Sequence, residues 1–315
     1  MPPFPLLRLP GVVLFDVFKS LNIGEKIKLS LCSKKVSTQI NNARLYSQKV
    51  IVVLDCSSHK IEVHSENRKD TFEIFNYPDS CNRHNSNTHQ FSIACSTVRS
   101  TSISIGIEIF WKNNREGFLS VTQHLLKIFQ CKISTGIIDC YCLVSLQPAI
   151  SDLFDLQLEF ETFTIALNGS RDKNLMFNQI SDKFGLVENL RILSHANPGF
   201  IPVFISWPQN IDVFSSAWFT LEYLFACTCT KITLKDSRLK NKNVDEILRK
   251  WNTGGFPNLE CLKIYSHNIT NNESTILGMN LSELNGKVIQ TDDGAKKATI
   301  NTDYGSIEMS IIPFQ

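Results

Sequence analysis

The chain has 315 residues, 43% apolar and 20% charged, which is room for two or three packed domains and too much apolar content for wholesale disorder. A net charge of +2 argues against a nucleic-acid binder driven by phosphate contacts. No apolar run reaches about 18 residues and no leader pattern of basic, apolar and small residues opens the chain, so neither a membrane span nor a secretory signal is expected, and the location is expected to be cytoplasmic or nuclear.

The first informative stretch begins at Leu9-Pro10. Val13, Leu14, Val17, Phe18 and Leu21 follow at helical spacing. After a break at Asn22-Ile23-Gly24-Glu25 comes a second apolar run, Ile27, Leu29 and Leu31, and then Val36 and Ile40 on a third short segment. Three helices this short carry more apolar surface than they bury on one another, and a segment of this size rarely folds alone. The spacing therefore predicts a helical docking module over residues 1–45 that completes its core on another protein. An amphipathic helix packed on its own domain is the plainer alternative.

These same residues, with Glu25-Lys26-Ile27 and Leu29-Ser30-Leu31-Cys32-Ser33-Lys34-Lys35, resemble an F-box from residue 4 to about 42. The resemblance implies docking on a Skp-type adaptor and, through it, a cullin. It also implies Leu9, Pro10, Leu14, Phe18, Leu21, Ile27 and Leu31 as the docking surface or its support.

Residues 46–115 read as a β-rich segment. Lys49–Leu54 is a β-branched run, and Ile61–Val63 and Thr71–Phe75 alternate, which predicts a small antiparallel meander. Residues 78–90 form a polar loop rich in asparagine. Cys81, His84 and His89 lie in it without an obvious fourth ligand, so no metal site is expected. Ser102–Phe110 is an alternating run and reads as one strand, with Gly106 marking a bulge or a close approach.

From residue 116 to 315 a loose repeat appears. Leucine-rich repeats place apolar residues as L-x-x-L-x-L, with a small or polar residue three places on. Five copies are passable: Ile128/Cys131/Ile133 with Gly136, Phe160/Phe163/Ile165 with Asn168, and Val187/Leu190/Ile192 with His195. Cys229/Ile232/Leu234 with Ser237 and Leu259/Leu262/Ile264 with His267 complete the set. Between them lie helical patterns: Phe118, Val121, Leu125, Ile128 and Phe129; Leu175, Met176 and Ile180; and Val244, Ile247, Leu248 and Trp251, ended by Gly254-Gly255. Strand and helix in alternation predict a parallel sheet and an irregular leucine-rich-repeat-like β/α arc, with an ordinary α/β domain as the competitor. Near the end, Asp292-Asp-Gly294 predicts a hairpin between Lys287–Gln290 and Ala298–Ile300, and Ser306–Ile312 a last strand.

Residues about 200–265 resemble the type 2 F-box-associated domain of the large nematode F-box families. The resemblance rests on Trp207-Pro208, Leu221-Glu-Tyr-Leu224, Ile232–Leu239, Val244–Leu248, Lys250–Gly254 and Phe256–Leu262. It implies capture of a protein target, with the target and its binding residues unspecified.

No catalytic motif is found: no P-loop, no G-x-G-x-x-G, no G-x-S-x-G and no H-E-x-x-H. The ten cysteines include no C-x-x-C pair and read as reduced core residues, Cys140/Cys142 and Cys227/Cys229 at strand spacing. A Cys–His pair built from Cys229 or Cys261 with His195 or His267 is the best enzymatic option, and core placement of the thiols argues against it. Asp152, Asp155, Asp245 and Glu246 are expected to be solvated or to face helix dipoles. Lys235, Arg238, Lys240 and Lys242 read as an exposed loop. The expectation is a non-catalytic substrate receptor of a ubiquitin ligase, without cofactor or metal. The rival is a repeat-type binding scaffold whose first helices cap its own core.

Overall fold

A computed structural model describes residues 6–43, 49–55, 60–81, 88–93, 96–135, 143–167, 177–194, 202–271 and 274–312. The chain is mixed α/β and divides into two compact units, Met1–Glu161 and Thr162–Gln315.

The first unit opens with three helices, α1 (Gly11–Ser20), α2 (Ile23–Cys32) and α3 (Lys34–Asn42). Seven strands follow: β1 (Val50–Asp55), β2 (Lys60–Ser65), β3 (Thr71–Pro78), β4 (Thr88–Ile93), β5 (Ser96–Ile103), β6 (Gly106–Trp111) and β7 (Ile133–Thr135). Their order is β7-β1-β2-β3-β6-β5-β4. The predicted meander β1-β2-β3 is present and antiparallel, whereas β7 joins β1 and β6 joins β3 in parallel. The Ile128/Cys131/Ile133 motif therefore serves β7 beside β1, and its Ile128 lies on the helix before it.

Ser102–Phe110 is not one strand. The chain reverses at Ser104-Ile105, pairing Ile103 with Gly106 in a tight hairpin. Alternation runs unbroken through the reversal because exposed Ile105 sits on the turn, so periodicity alone could not locate it. The close approach expected at Gly106 is real: a Cβ there would stand 1.8 Å from the backbone oxygen of Glu73 on β3.

Helix α4 (Asn114–Phe129) packs against β3 and β6 and is followed by α5 (Leu143–Asp155). Asn113 caps α4, its side chain accepting from the amides of Arg115 and Glu116 at 3.1 and 3.4 Å. The predicted face, Phe118, Val121, Leu125 and Ile128, is buried. Asp152 is not simply solvated: Arg115 donates to both of its oxygens, at 2.7 and 2.6 Å, and ties α4 to α5.

The second unit holds most of β8 (Phe160–Leu167), then β9 (Val187–Ser194), β10 (Asn210–Phe214), β11 (Lys231–Leu234), β12 (Cys261–Tyr265), β13 (Lys287–Gln290), β14 (Lys297–Asp303) and β15 (Ser306–Ile312). The order is β8-β9-β10-β11-β12-β15-β14-β13. Helices α6 (Leu221–Ala226), α7 (Asn241–Asn252) and α8 (Leu281–Leu284) lie between strands. Strands β9 to β12 are parallel, and two buried rungs cross them in register: Leu190, Ile211, Ile232, Leu262 and then Ile192, Val213, Leu234, Ile264. The second strand of this stack, β10, is not among the expected copies. It lies midway in the longest gap between them, where Pro208 stands at the first apolar position and hides the motif.

The capping expected three places after a strand holds at Ser237, which is buried, whose amide donates to the Tyr265 carbonyl at 2.9 Å, and whose hydroxyl accepts from the Leu239 amide at 3.2 Å. At β12 it shifts by one residue. Buried Ser266 donates to the Leu239 carbonyl at 2.7 Å and accepts from the Asn268 amide, while His267 is exposed. His195 and the Leu175/Met176 pattern lie outside the described residues.

Helix α7 buries Val244, Ile247, Leu248 and Trp251 and ends at Gly254, whose φ of +82° is the left-handed backbone that glycine accepts freely. The predicted terminal hairpin is β13–β14. Strand β15 then inserts between β14 and β12, antiparallel to both, and ends the parallel run.

Candidate functional site

The N-terminal helices follow from their sequence directly. Pro10 lacks an amide hydrogen and so suits the position before α1, where its carbonyl accepts from the Leu14 amide at 2.9 Å. The break before α2 is a capping box: Asn22 accepts from the Glu25 amide at 2.8 Å, and the Glu25 carboxylate accepts from the Asn22 amide at 2.9 Å.

The inner face of these helices is closed within the chain. Leu14 and Phe18 pack with Val36, Ile40, Ala43 and Ile128 of α4. Helix α2 buries Ile23, Ile27 and Leu31 and meets β2, β3 and β4. Gly24 lies against Phe72, where a Cβ would stand 2.4 Å from the ring. The Asp70 carboxylate accepts from the Ile23 amide at 2.7 Å, and Gln130 donates to Asn41 at 2.8 Å. Burial lowers the pKa of Lys26, against the pull of Asp70 and Glu25.

The outer face of α1 is open. Val12 is 74% exposed and Val13 46%. Pro10 is exposed, while Leu9, Val17 and Leu21 are half-buried. Of the seven residues singled out for docking, Leu14, Phe18, Ile27 and Leu31 thus lie in the chain's own core, and Leu9, Pro10 and Leu21 reach the surface. Val12, which is not among the seven, is the most exposed aliphatic residue of α1; its signal in the sequence is an aliphatic residue on the polar side of an amphipathic helix.

Helix α2 is also joined to α4 by the Ser30 hydroxyl, 2.9 Å from Nε2 of His124. Burial, with Lys127 adding to it, lowers the His124 pKa to about 4 from 6.5. Folding thus favours the neutral imidazole, so its stabilisation is complete above pH 6.5 and fades as the pH falls toward 4. Between about pH 7.5 and 5 this group alone is expected to withdraw roughly 2 kcal/mol. Urea unfolding of the parent and of His124→Gln at both pH values checks it: the variant should lose markedly less stability on acidification.

The other candidates carry no comparable geometry. The thiols of Cys131, Cys229 and Cys261 have raised pKa values, Cys131 to about 12 by burial, Cys229 chiefly by its hydrogen bond with Cys227, and Cys261 by burial. None of the three is an activated thiolate. Cys227 and Cys229 are buried in the connection from α6 to β11 rather than on a strand. Cys56, Cys95, Cys140, Cys142 and His84 lie outside the described residues, among which no group of three metal-ligating side chains occurs. Asp245 is ion-paired with Arg249 at 2.7 Å and accepts from the Leu277 amide. Lys235 stands 3.6 Å from the centre of the Phe214 ring, in a cation–π contact.

Comparison with known families places a class on this arrangement. Residues 6–48 match the F-box domain model, covering α1 to α3. Residues 203–264 match the F-box associated model, which spans β10, α6, β11, α7 and nearly all of β12. The chain thus carries an F-box domain and, C-terminal to it, an F-box-associated domain. No curated protein and no solved structure matches it. Among the described residues, no helix is long and apolar enough to cross a membrane.

Proposed function

We propose that this chain is the non-catalytic substrate-recognition subunit of a Skp-cullin-F-box type ubiquitin ligase. Its N-terminal helices dock on the Skp-type adaptor through the outer face of α1, with Leu9, Pro10, Val12, Val13 and Leu21 as contacts. Leu14, Phe18, Ile27 and Leu31 hold that face in shape from below. The carrying observation is the open aliphatic face of α1 inside the segment that matches the F-box model. The second unit captures a protein target, its stack of parallel strands acting as an irregular leucine-rich-repeat-like surface. The chain's contribution is proximity: it holds the target near a ubiquitin-loaded enzyme and performs no chemistry itself. It needs no cofactor and acts in the cytoplasm or nucleus.

The decisive experiment mixes the full chain with a purified Skp-type adaptor and follows the complex by size-exclusion chromatography and calorimetry. A one-to-one complex is expected, weakened about tenfold or more by Leu9→Ala with Pro10→Ala. A scaffold without a ligase role is the second reading, favoured by the closed inner face of α1 to α3, as a cap would have. Absence of any adaptor complex with a folded chain would select it.

A further inference from the structure

A cleft of about 350 Å³ lies where the α2–α3 junction faces α4. Its walls are Ser30 to Lys34, Ser37 and Thr38 on one side, and Ser120, Gln123, His124 and Lys127 on the other. Besides Leu31 and the Cys32 thiol, the lining offers hydroxyls, an amide, an imidazole and two ammonium groups, with no carboxylate. Lys34 and Lys127 are exposed, and neither forms an ion pair with a described residue.

Three features point the cleft toward an anion. Helix α3 begins at Lys34, and Ser33 before it makes no side-chain capping bond, so the first-turn amides of this nine-residue helix are uncapped on that side. The Ser37 residue is only 8% exposed, lines the cleft, and its hydroxyl makes no hydrogen bond with any described residue, so it is free to bond a group in the cleft. The two lysines bring positive charge from opposite walls without a competing acid.

We propose that this cleft binds a phosphate group, with Lys34 and Lys127 supplying charge and Ser37 and the first turn of α3 supplying hydrogen-bond donors. The group could be inorganic phosphate or the phosphate of a phosphorylated serine or threonine side chain, because both present the same oxygens. The inference stands apart from adaptor docking, which it neither needs nor tests.

The test titrates the full chain, at constant ionic strength, with inorganic phosphate, with a phosphoserine peptide, and with the unphosphorylated peptide. Saturable binding of phosphate or phosphopeptide is expected, with a rise in unfolding temperature that follows mass action. Binding of both probes identifies the free anion as sufficient; binding of the phosphopeptide alone identifies an attached phosphate. Lys34→Gln with Lys127→Gln should weaken binding at least tenfold, and Ser37→Ala severalfold. Lys69→Gln, an exposed lysine outside the lining and outside α3, should leave it unchanged. The lysine variants change exposed groups, and circular dichroism verifies their fold. No binding of either phosphorylated probe at millimolar concentration, or equal binding by the double lysine variant, overturns the proposal.

Discussion

Replacing Val12 and Val13 together by aspartate is expected to cut affinity for a Skp-type adaptor by about a hundredfold or more while leaving the fold intact. Both side chains are open in the free chain, so only a partner can bury them. Removing two buried valines forfeits about 1.5 kcal/mol or more for each, and desolvating carboxylates in their place adds to the loss. The chain itself should tolerate the change. Both positions lie in the first turn of α1, which carries no acidic residue, and negative charge there is favourable to the helix dipole. Unfolding free energy should stay within about 0.5 kcal/mol of the parent. Calorimetric titration against the adaptor, paired with urea unfolding, reads both quantities. An unchanged affinity would remove the outer face of α1 from the docking surface.

The opposite face of the same helix should behave in the opposite way. Phe18 is fully buried, in the cluster that joins α1 to α3 and to Ile128 of α4. Phe18→Ala leaves a cavity that closely packed neighbours fill only in part, and about 3–5 kcal/mol of stability should be lost. Adaptor binding should weaken only as far as the folded fraction falls. Measuring affinity at a temperature where the variant remains folded separates the two effects. If Phe18→Ala cuts affinity strongly while unfolding free energy is unchanged, Phe18 is a contact and the inner face opens on docking.

These two residues show where sequence reading stops. Leu14 and Phe18 at helical spacing marked α1 as amphipathic, and with Leu9-Pro10 they pointed to an F-box, which the domain match bears out. Periodicity reports that one helix face is apolar. It does not report what covers that face. Here Ile128, about 110 residues downstream, helps cover it, so Leu14 and Phe18, expected in the docking surface or its support, lie in the chain's own core. Val12 breaks the apolar pattern, and it is the most exposed aliphatic residue on the helix.

The chain's local grammar was therefore legible from composition and spacing: three short helices, an antiparallel meander, the amphipathic stripe of α7 with its glycine stop, and the Asp-Asp-Gly hairpin. Each depends on neighbours within about four residues or on one turn, and such short-range preferences are written in adjacent side chains. Tertiary structure alone decided the rest. It split Ser102–Phe110 into two strands, set β6 beside β3 against Gly106, slipped β10 into the parallel stack behind Pro208, and placed β15 between β12 and β14. Those choices are made by strand partners far apart in the chain, through hydrogen bonds and close packing that no local pattern records.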